Sequence, residues 1–171
     1  MDSNSPILSD SDSHFFQKEI IAFIIEPVCS IFKYMREITI TDENGTPWEY
    51  TYILVPELYN GLPVDQFEVR AKGDQQVPYM IQAKETDNEV RILLQHNNGN
   101  PAVSKKNIFG GMLPAIFEHY KKEIVSSSIA KPRYENERRV PETAGKMYNK
   151  LFNAGLVWYD KNRDVYYYRG Q

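Results

Sequence analysis

Between Ile124 and Tyr168 the chain writes a short strand, one amphipathic helix and a closing hairpin into consecutive residues, and two known designs end this way. Ala144, Met147, Tyr148, Leu151 and Phe152 recur at the spacing that lays one apolar stripe along a helix and turns it toward a core. Pro141 suits the first helical turn and Gly155 the position just past the end, so both boundaries are marked. Leu156–Tyr159 and Val165–Tyr168, joined across Asp160–Asp164, then read as two aromatic strands of a hairpin.

Composition bounds the rest. With 171 residues, 42% of them hydrophobic and 13% aromatic, the chain can bury one core, and a single domain is expected after a tail. The net charge of −3 argues against a protein coated in basic charge for nucleic acid. The charge is nevertheless uneven. Residues 101–150 hold ten Lys and Arg against five Glu, which makes that half the one to face an anion. One cysteine, Cys29, forms no internal disulfide and no metal-ligand set, which fits a reducing, cytoplasmic setting. The longest apolar run, Ile20–Ile25, is too short to span a bilayer, and the N-terminus lacks the basic flank of a secretory signal.

Residues 1–13 are rich in Ser and Asp and predict a mobile tail, followed by the domain over 14–171. His14–Val28 has helical spacing, although Ile20–Ile25 equally suits a buried strand. From Arg36 the period becomes two. Ile38 and Ile40 alternate with Thr39 and Thr41, Asn44-Gly45 is a hairpin turn before Trp48–Val55, and strands are predicted over Phe67–Ala71, Tyr79–Ala83 and Val90–Gln95. This is an antiparallel meander. A loop, His96–Gly111, leads to a helix whose start Pro114 places near Gly110 or Gly111, since proline is tolerated in a first turn. Unpaired N–H groups there, the two glycines, and Lys105 and Lys106 upstream suit a phosphate seat; the same residues also serve as a plain loop end with solvated lysines.

The resulting order is a run of antiparallel strands, a glycine-bearing loop, a helix, the strand Ile124–Ile129, a second helix and a hairpin. From Arg36 to Tyr168 it resembles the second half of the GNAT superfamily of acyl-CoA-dependent N-acyltransferases. In that family a Gln/Arg-x-x-Gly-x-Gly/Ala loop holds the acyl-CoA pyrophosphate on backbone amides at a helix N-terminus. Here Asn107-Ile108-Phe109-Gly110-Gly111-Met112 keeps the first glycine, with Asn for Gln/Arg and Met for the last small residue. The family's Ala-x-x-x-Tyr-x-x-Leu-Gly-Phe segment is matched by Ala144, Tyr148 and Leu151. The resemblance implies an α/β (α+β) domain with a central, mainly antiparallel sheet, an acetyl-CoA or other acyl-CoA donor held by Lys105, Lys106, Asn107, Gly110 and Gly111, and an amine-bearing acceptor. Tyr148 becomes the general acid for the thiolate. At its front the chain departs from the family, which begins with a strand and two helices that shape the acceptor site.

Amine acylation also needs a base, and Glu89, at the head of Val90–Gln95, is the carboxylate that the sequence places best for that role. Tyr148 lies on the apolar stripe, so packing alone also accounts for it. Ser126-Ser127-Ser128 has no partner at triad spacing, and His14, His96 and His119 are too scattered for a metal or a triad. Two other readings stand beside the acyltransferase. In a winged-helix nucleic-acid binder, Lys146 and Lys150 of the basic 101–150 segment and Arg163 of the hairpin would touch phosphate. In the other, the chain is a non-catalytic interaction module.

Overall fold

Turn chemistry and two-residue periodicity build most of this chain into one sheet. A computed structural model describes residues 35–134, 137 and 139–170. The expected tail over 1–13 and the helix or strand over 14–28 lie outside the described residues. From Arg36 onward the chain gathers into one unit.

Strand β1 (Arg36–Thr41) turns at Asn44-Gly45 into β2 (Pro47–Tyr59). Gly45 takes the left-handed backbone, at φ 80°, that this turn demands. Asp42 accepts the N–H groups of Asn44 and Thr46 and the indole N–H of Trp48. A second hairpin, at Asn60 (φ 50°) and Gly61 (φ 79°), joins β2 to β3 (Leu62–Ala71). β2 therefore continues through Pro56, beyond the predicted Val55. Pro56 is tolerated because β1 pairs only as far as Tyr52, so the missing N–H faces a free edge.

β4 (Tyr79–Glu85) and β5 (Glu89–His96) complete the meander. Ala83 stands opposite Ile92 and Gln82 opposite Leu94, which leaves Leu93 as the extra residue of a bulge. After the loop come α1 (Ile108–Tyr120) and β6 (Glu123–Ser126). A π-helical turn (Pro141–Gly145) runs into α2 (Lys146–Asn153), and β7 (Trp158–Asp160) and β8 (Val165–Tyr168) close the chain. The sheet order is β1-β2-β3-β4-β5-β6-β8-β7, antiparallel except where β5 meets β6. This is an α+β fold dominated by its sheet.

Other predicted boundaries move too: β3 starts at Leu62 and not Phe67, and β7 at Trp158 and not Leu156. α1 begins at Ile108, so Pro114 lies in its second turn, not its first; the ring is exposed, and the Gly110 carbonyl lacks the N–H that residue 114 would otherwise donate. The strand expected over Ile124–Ile129 ends at Ser126, because the side chains and backbone beyond it turn to other partners: Ser128 Oγ and the N–H groups of Ile129 and Ala130 all donate to the Asp164 carboxylate. The end of α2 is as written. Gly155, at φ 71°, gives its N–H to Phe152, and Leu156 gives its N–H to Leu151, the two bonds of a Schellman cap.

The core lies where α1 covers the sheet. Met112, Leu113 and Ile116 are almost fully buried against Ile40, Val69, Ile81 and Val90. Each such side chain contributes about 1.5–3 kcal/mol through burial. Along the α2 stripe Tyr148 and Leu151 are buried, but Phe152 is 47% exposed and meets only the edge of the Tyr166 ring. Among the described residues no helix is long and apolar enough to cross a membrane. The described residues between β6 and Pro141 contain no helix, whereas a winged helix needs a pair there.

Candidate functional site

The parallel seam is short. β5 and β6 pair from Glu89↔Glu123 to Ile92↔Ser126, and there the Ser127 hydroxyl takes the Ile92 carbonyl at 2.8 Å. Beyond that bond β5 continues alongside β4 with its other edge unpaired. A cavity of about 530 Å³ fills the gap, lined by Ile92–Asn97, Ser127, Arg139, Val140 and the first turns of the α2 region. A second cavity, about 290 Å³, adjoins it through the shared residues Tyr79, Asn97 and Met147. Side by side they span a groove from the start of α1 to the opening between the strands, with Tyr79, Asn97 and Met147 between its two parts.

At one end is the N-terminus of α1. Lys105 and Asn107 both take left-handed backbone (φ 57° and 55°), an uncommon choice for residues with side chains. Asn107 makes no side-chain cap bond; its Nδ2 donates instead to the Thr41 carbonyl. The first intrahelical bond of α1 runs from Gly111 N–H to the Asn107 carbonyl, so the N–H groups of Ile108, Phe109 and Gly110 precede the ladder. Four lysines line this cavity: Lys105, Lys106, Lys146 and Lys150. Lys150 pairs with Glu43, and Lys106 sits 3.4 Å over the Trp48 ring. Lys105 and Lys146 have no carboxylate partner among the described residues. The positive end of a helix and two unpaired ammonium groups make an anion seat.

The structure sorts the predicted residues. Lys105, Lys106, Asn107 and Gly110 share the second cavity, and Tyr148 lines the first. Gly111 faces the core instead, where a Cβ would come within 2.5 Å of Ile40 Cγ2. Gly110 has a packing reason too, since its Cβ would lie 2.8 Å from Leu151 Cδ2.

Glu89 is not brought to Tyr148. It lies at the far end of β5, six residues from Gln95, a separation of about 20 Å along a strand. There Arg91, Arg133 and Arg163 all bind its carboxylate. Its role is to anchor the crossing from β6 to α2, together with the fully buried Glu137, which binds Arg91 at 3.0 Å and accepts the N–H groups of Arg133 and Tyr134. The strand thus holds Glu89 and Tyr148 apart. The serines are likewise structural: Ser126 Oγ accepts from Arg139 and from the Tyr166 N–H.

Tyr148 is 4% exposed, stacked on Tyr166 at 5.3 Å and edge-on to Phe109 at 5.4 Å. Its oxygen accepts a hydrogen bond from Gln95 Nε2 at 3.2 Å, and Gln95 Oε1 accepts one from the Tyr79 hydroxyl, also at 3.2 Å. Burial pushes the Tyr148 hydroxyl far above the ordinary tyrosine range; Tyr79 adds to the rise, while Arg139 and the Gln95 bond oppose it. The group therefore holds its proton at neutral pH. Neither Tyr79 nor Gln95 stands out in sequence, because only the β4–β5 register brings them to Tyr148. Lys146 was visible as a phosphate contact of a winged helix, and here it lines the groove.

Comparison with known proteins finds no matching family model, no curated relative and no similar solved structure.

Proposed function

We propose that the groove binds an acyl-CoA and that the protein is an N-acyltransferase of GNAT-like architecture, passing the acyl group to an amine. The observation that carries this reading is the adjacency of the two cavities, which sets the lysine-lined α1 N-terminus beside a buried, protonated tyrosine where two parallel strands part. The residues fit such a ligand. The N–H groups of Ile108, Phe109 and Gly110, with Lys105 and Lys146, suit a pyrophosphate, and the unpaired edge of β5 over Leu93–Gln95 offers backbone partners to an extended amide-bearing arm.

Bound there, acyl-CoA would supply a thioester whose acyl carbon the amine attacks and whose sulfur leaves with the C–S electron pair. Leu93, the extra residue of the bulge, lines the first cavity, and its N–H would polarise an acyl carbonyl bound there. Tyr148 gives its hydroxyl proton to the departing sulfur and becomes a phenolate held by the Gln95 amide and the field of Arg139. The amine loses one proton to solvent, which returns one to Tyr148 and closes the cycle.

A thermal-shift titration with acetyl-CoA and with free CoA tests the reading. At a hundred times the dissociation constant, binding to the native state alone adds about 2.7 kcal/mol, or about 5–10 °C in melting temperature for a chain of this size. No shift at millimolar concentrations of either compound sinks the proposal.

A further inference from the structure

The first cavity holds two tyrosines, and one glutamine joins them. Tyr79 is on β4 and Gln95 on β5; Gln95 pairs with Ile81, so Tyr79, two residues away, lies on the same face of the sheet. A side-chain amide has one end that only accepts and one that only donates. Its orientation therefore sets the direction of every hydrogen bond in the chain. The Tyr79 O–H occupies Oε1, which turns Nε2 toward Tyr148. Tyr148 then spends its oxygen as an acceptor and keeps its proton, for which no described residue is the acceptor.

Resting on the acyltransferase reading above, we infer that Tyr79 and Gln95 are positioning residues that direct the Tyr148 proton into the groove and stabilise the phenolate left behind. If the amide were reversed, Tyr148 would donate to Oε1 and its proton would be committed inside the protein. Reversal would need both hydroxyls to turn with the amide, and ionisation of Tyr148 forbids it: a phenolate only accepts, so Nε2 must face it, and Tyr79 then donates to Oε1 and polarises the amide. The same Nε2–H bond strengthens as charge develops on the Tyr148 oxygen, since a hydrogen bond to an ionised acceptor is roughly twice as strong as one to a neutral one. Burial makes Tyr148 reluctant to ionise, and Gln95 is one of two groups that lower that cost, Arg139 being the other.

The test is steady-state kinetics of thiol release from acetyl-CoA with a panel of primary amines, on Tyr79→Phe, Gln95→Glu, Tyr148→Phe and the double variant Gln95→Glu with Tyr148→Phe. Tyr79→Phe removes the donor that polarises the amide toward the phenolate, and kcat falls about threefold to tenfold, the worth of one hydrogen bond. In Gln95→Glu the carboxylate takes both hydroxyl protons and repels a phenolate, and kcat falls on the order of a hundredfold. In both, KM for acetyl-CoA and the CoA-induced thermal shift stay within twofold of wild type, which also shows that the variants are folded. The double variant is no slower than Tyr148→Phe alone, because a positioning residue has nothing to act through once the hydroxyl is gone. If wild type turns over and the single variants match it, or if the double variant loses activity additively, the inference is overturned and the acyltransferase reading stands. If wild type neither binds CoA nor releases thiol, both fall together.

Discussion

Replacing Gly111 by Ala tests how closely α1 is seated on the sheet. An ideal Cβ at this position would lie 2.5 Å from Ile40 Cγ2, 2.8 Å from Cγ1 and 3.1 Å from Cβ. Ile40 is 1% exposed and β-branched, so it can neither swing away nor compress. On an exposed helix the same change would stabilise by about 1 kcal/mol, because glycine is a poor helix former. Here that gain is set against overpacking, typically about 1–3 kcal/mol, and the three simultaneous contacts place the cost at the upper end. A net loss of about 1–2 kcal/mol is expected from urea unfolding, with an unchanged m-value. Gly110→Ala is the comparison, since its nearest neighbours are the ends of the Asn107 and Leu151 side chains, which can move; its net loss is smaller. Ile40→Ala alone opens a cavity and costs about 2–5 kcal/mol, and the new methyl at position 111 partly refills it. The double variant is therefore more stable than the sum of the singles by about 1 kcal/mol or more. Additivity within about 0.5 kcal/mol, or a stabilised Gly111→Ala, refutes the close seating.

Two further outcomes follow from the site and its supports. Burial works to raise the Asp164 carboxyl, but bonds from Ala130, Ser128, Tyr159 and Ile129 hold it well below the ordinary range, as Arg163 and Arg169 do for Glu123. With folded values depressed, their stabilisation is complete above about pH 5 and drains away as pH falls from the unfolded-state values through the lower folded ones. Asp164→Asn should cost about 3 kcal/mol at neutral pH and flatten the acid limb of a melting-temperature profile; an unchanged limb discards the clamp. Tyr148→Phe keeps the ring and removes the hydroxyl, so stability drops by about 1 kcal/mol while turnover drops on the order of a hundredfold. Equal turnover in the two proteins would leave Tyr148 a packing residue.

How much of this was readable depended on how local the cause was. Asn44-Gly45 and Gly155 announce their turns because a positive φ is a property of the residue and its neighbours. The stripe Tyr148–Leu151 points inward for a similarly local reason. Pro56 hid the second half of β2, since proline reads as a breaker wherever the free edge of the sheet is unknown. Pro114 misplaced the start of α1: the exposed side of a helix tolerates it, and the left-handed Asn107 sets the true boundary. Glu89 looked like a base because its carboxylate was visible, whereas Arg133 and Arg163, 44 and 74 residues on, were not connected to it by any spacing. Tyr79 and Gln95 meet only through a register that includes the Leu93 bulge.

The four-residue seam between β5 and β6 has a consequence for how the sheet assembles. β1 to β5 are linked by successive hairpins and can zip up from local contacts, whereas β8 and β7 reach the sheet only through β6. Formation of the seam must close a loop of more than thirty residues before β6 and the hairpin behind it join the meander. The meander and the terminal hairpin are therefore expected to open separately, with α1 lying against β1, β4 and β6 as the bracket across them. Amide exchange should be slower in β3 and β4 than in β6 and β8, and opening of the seam would widen the groove without unfolding the meander.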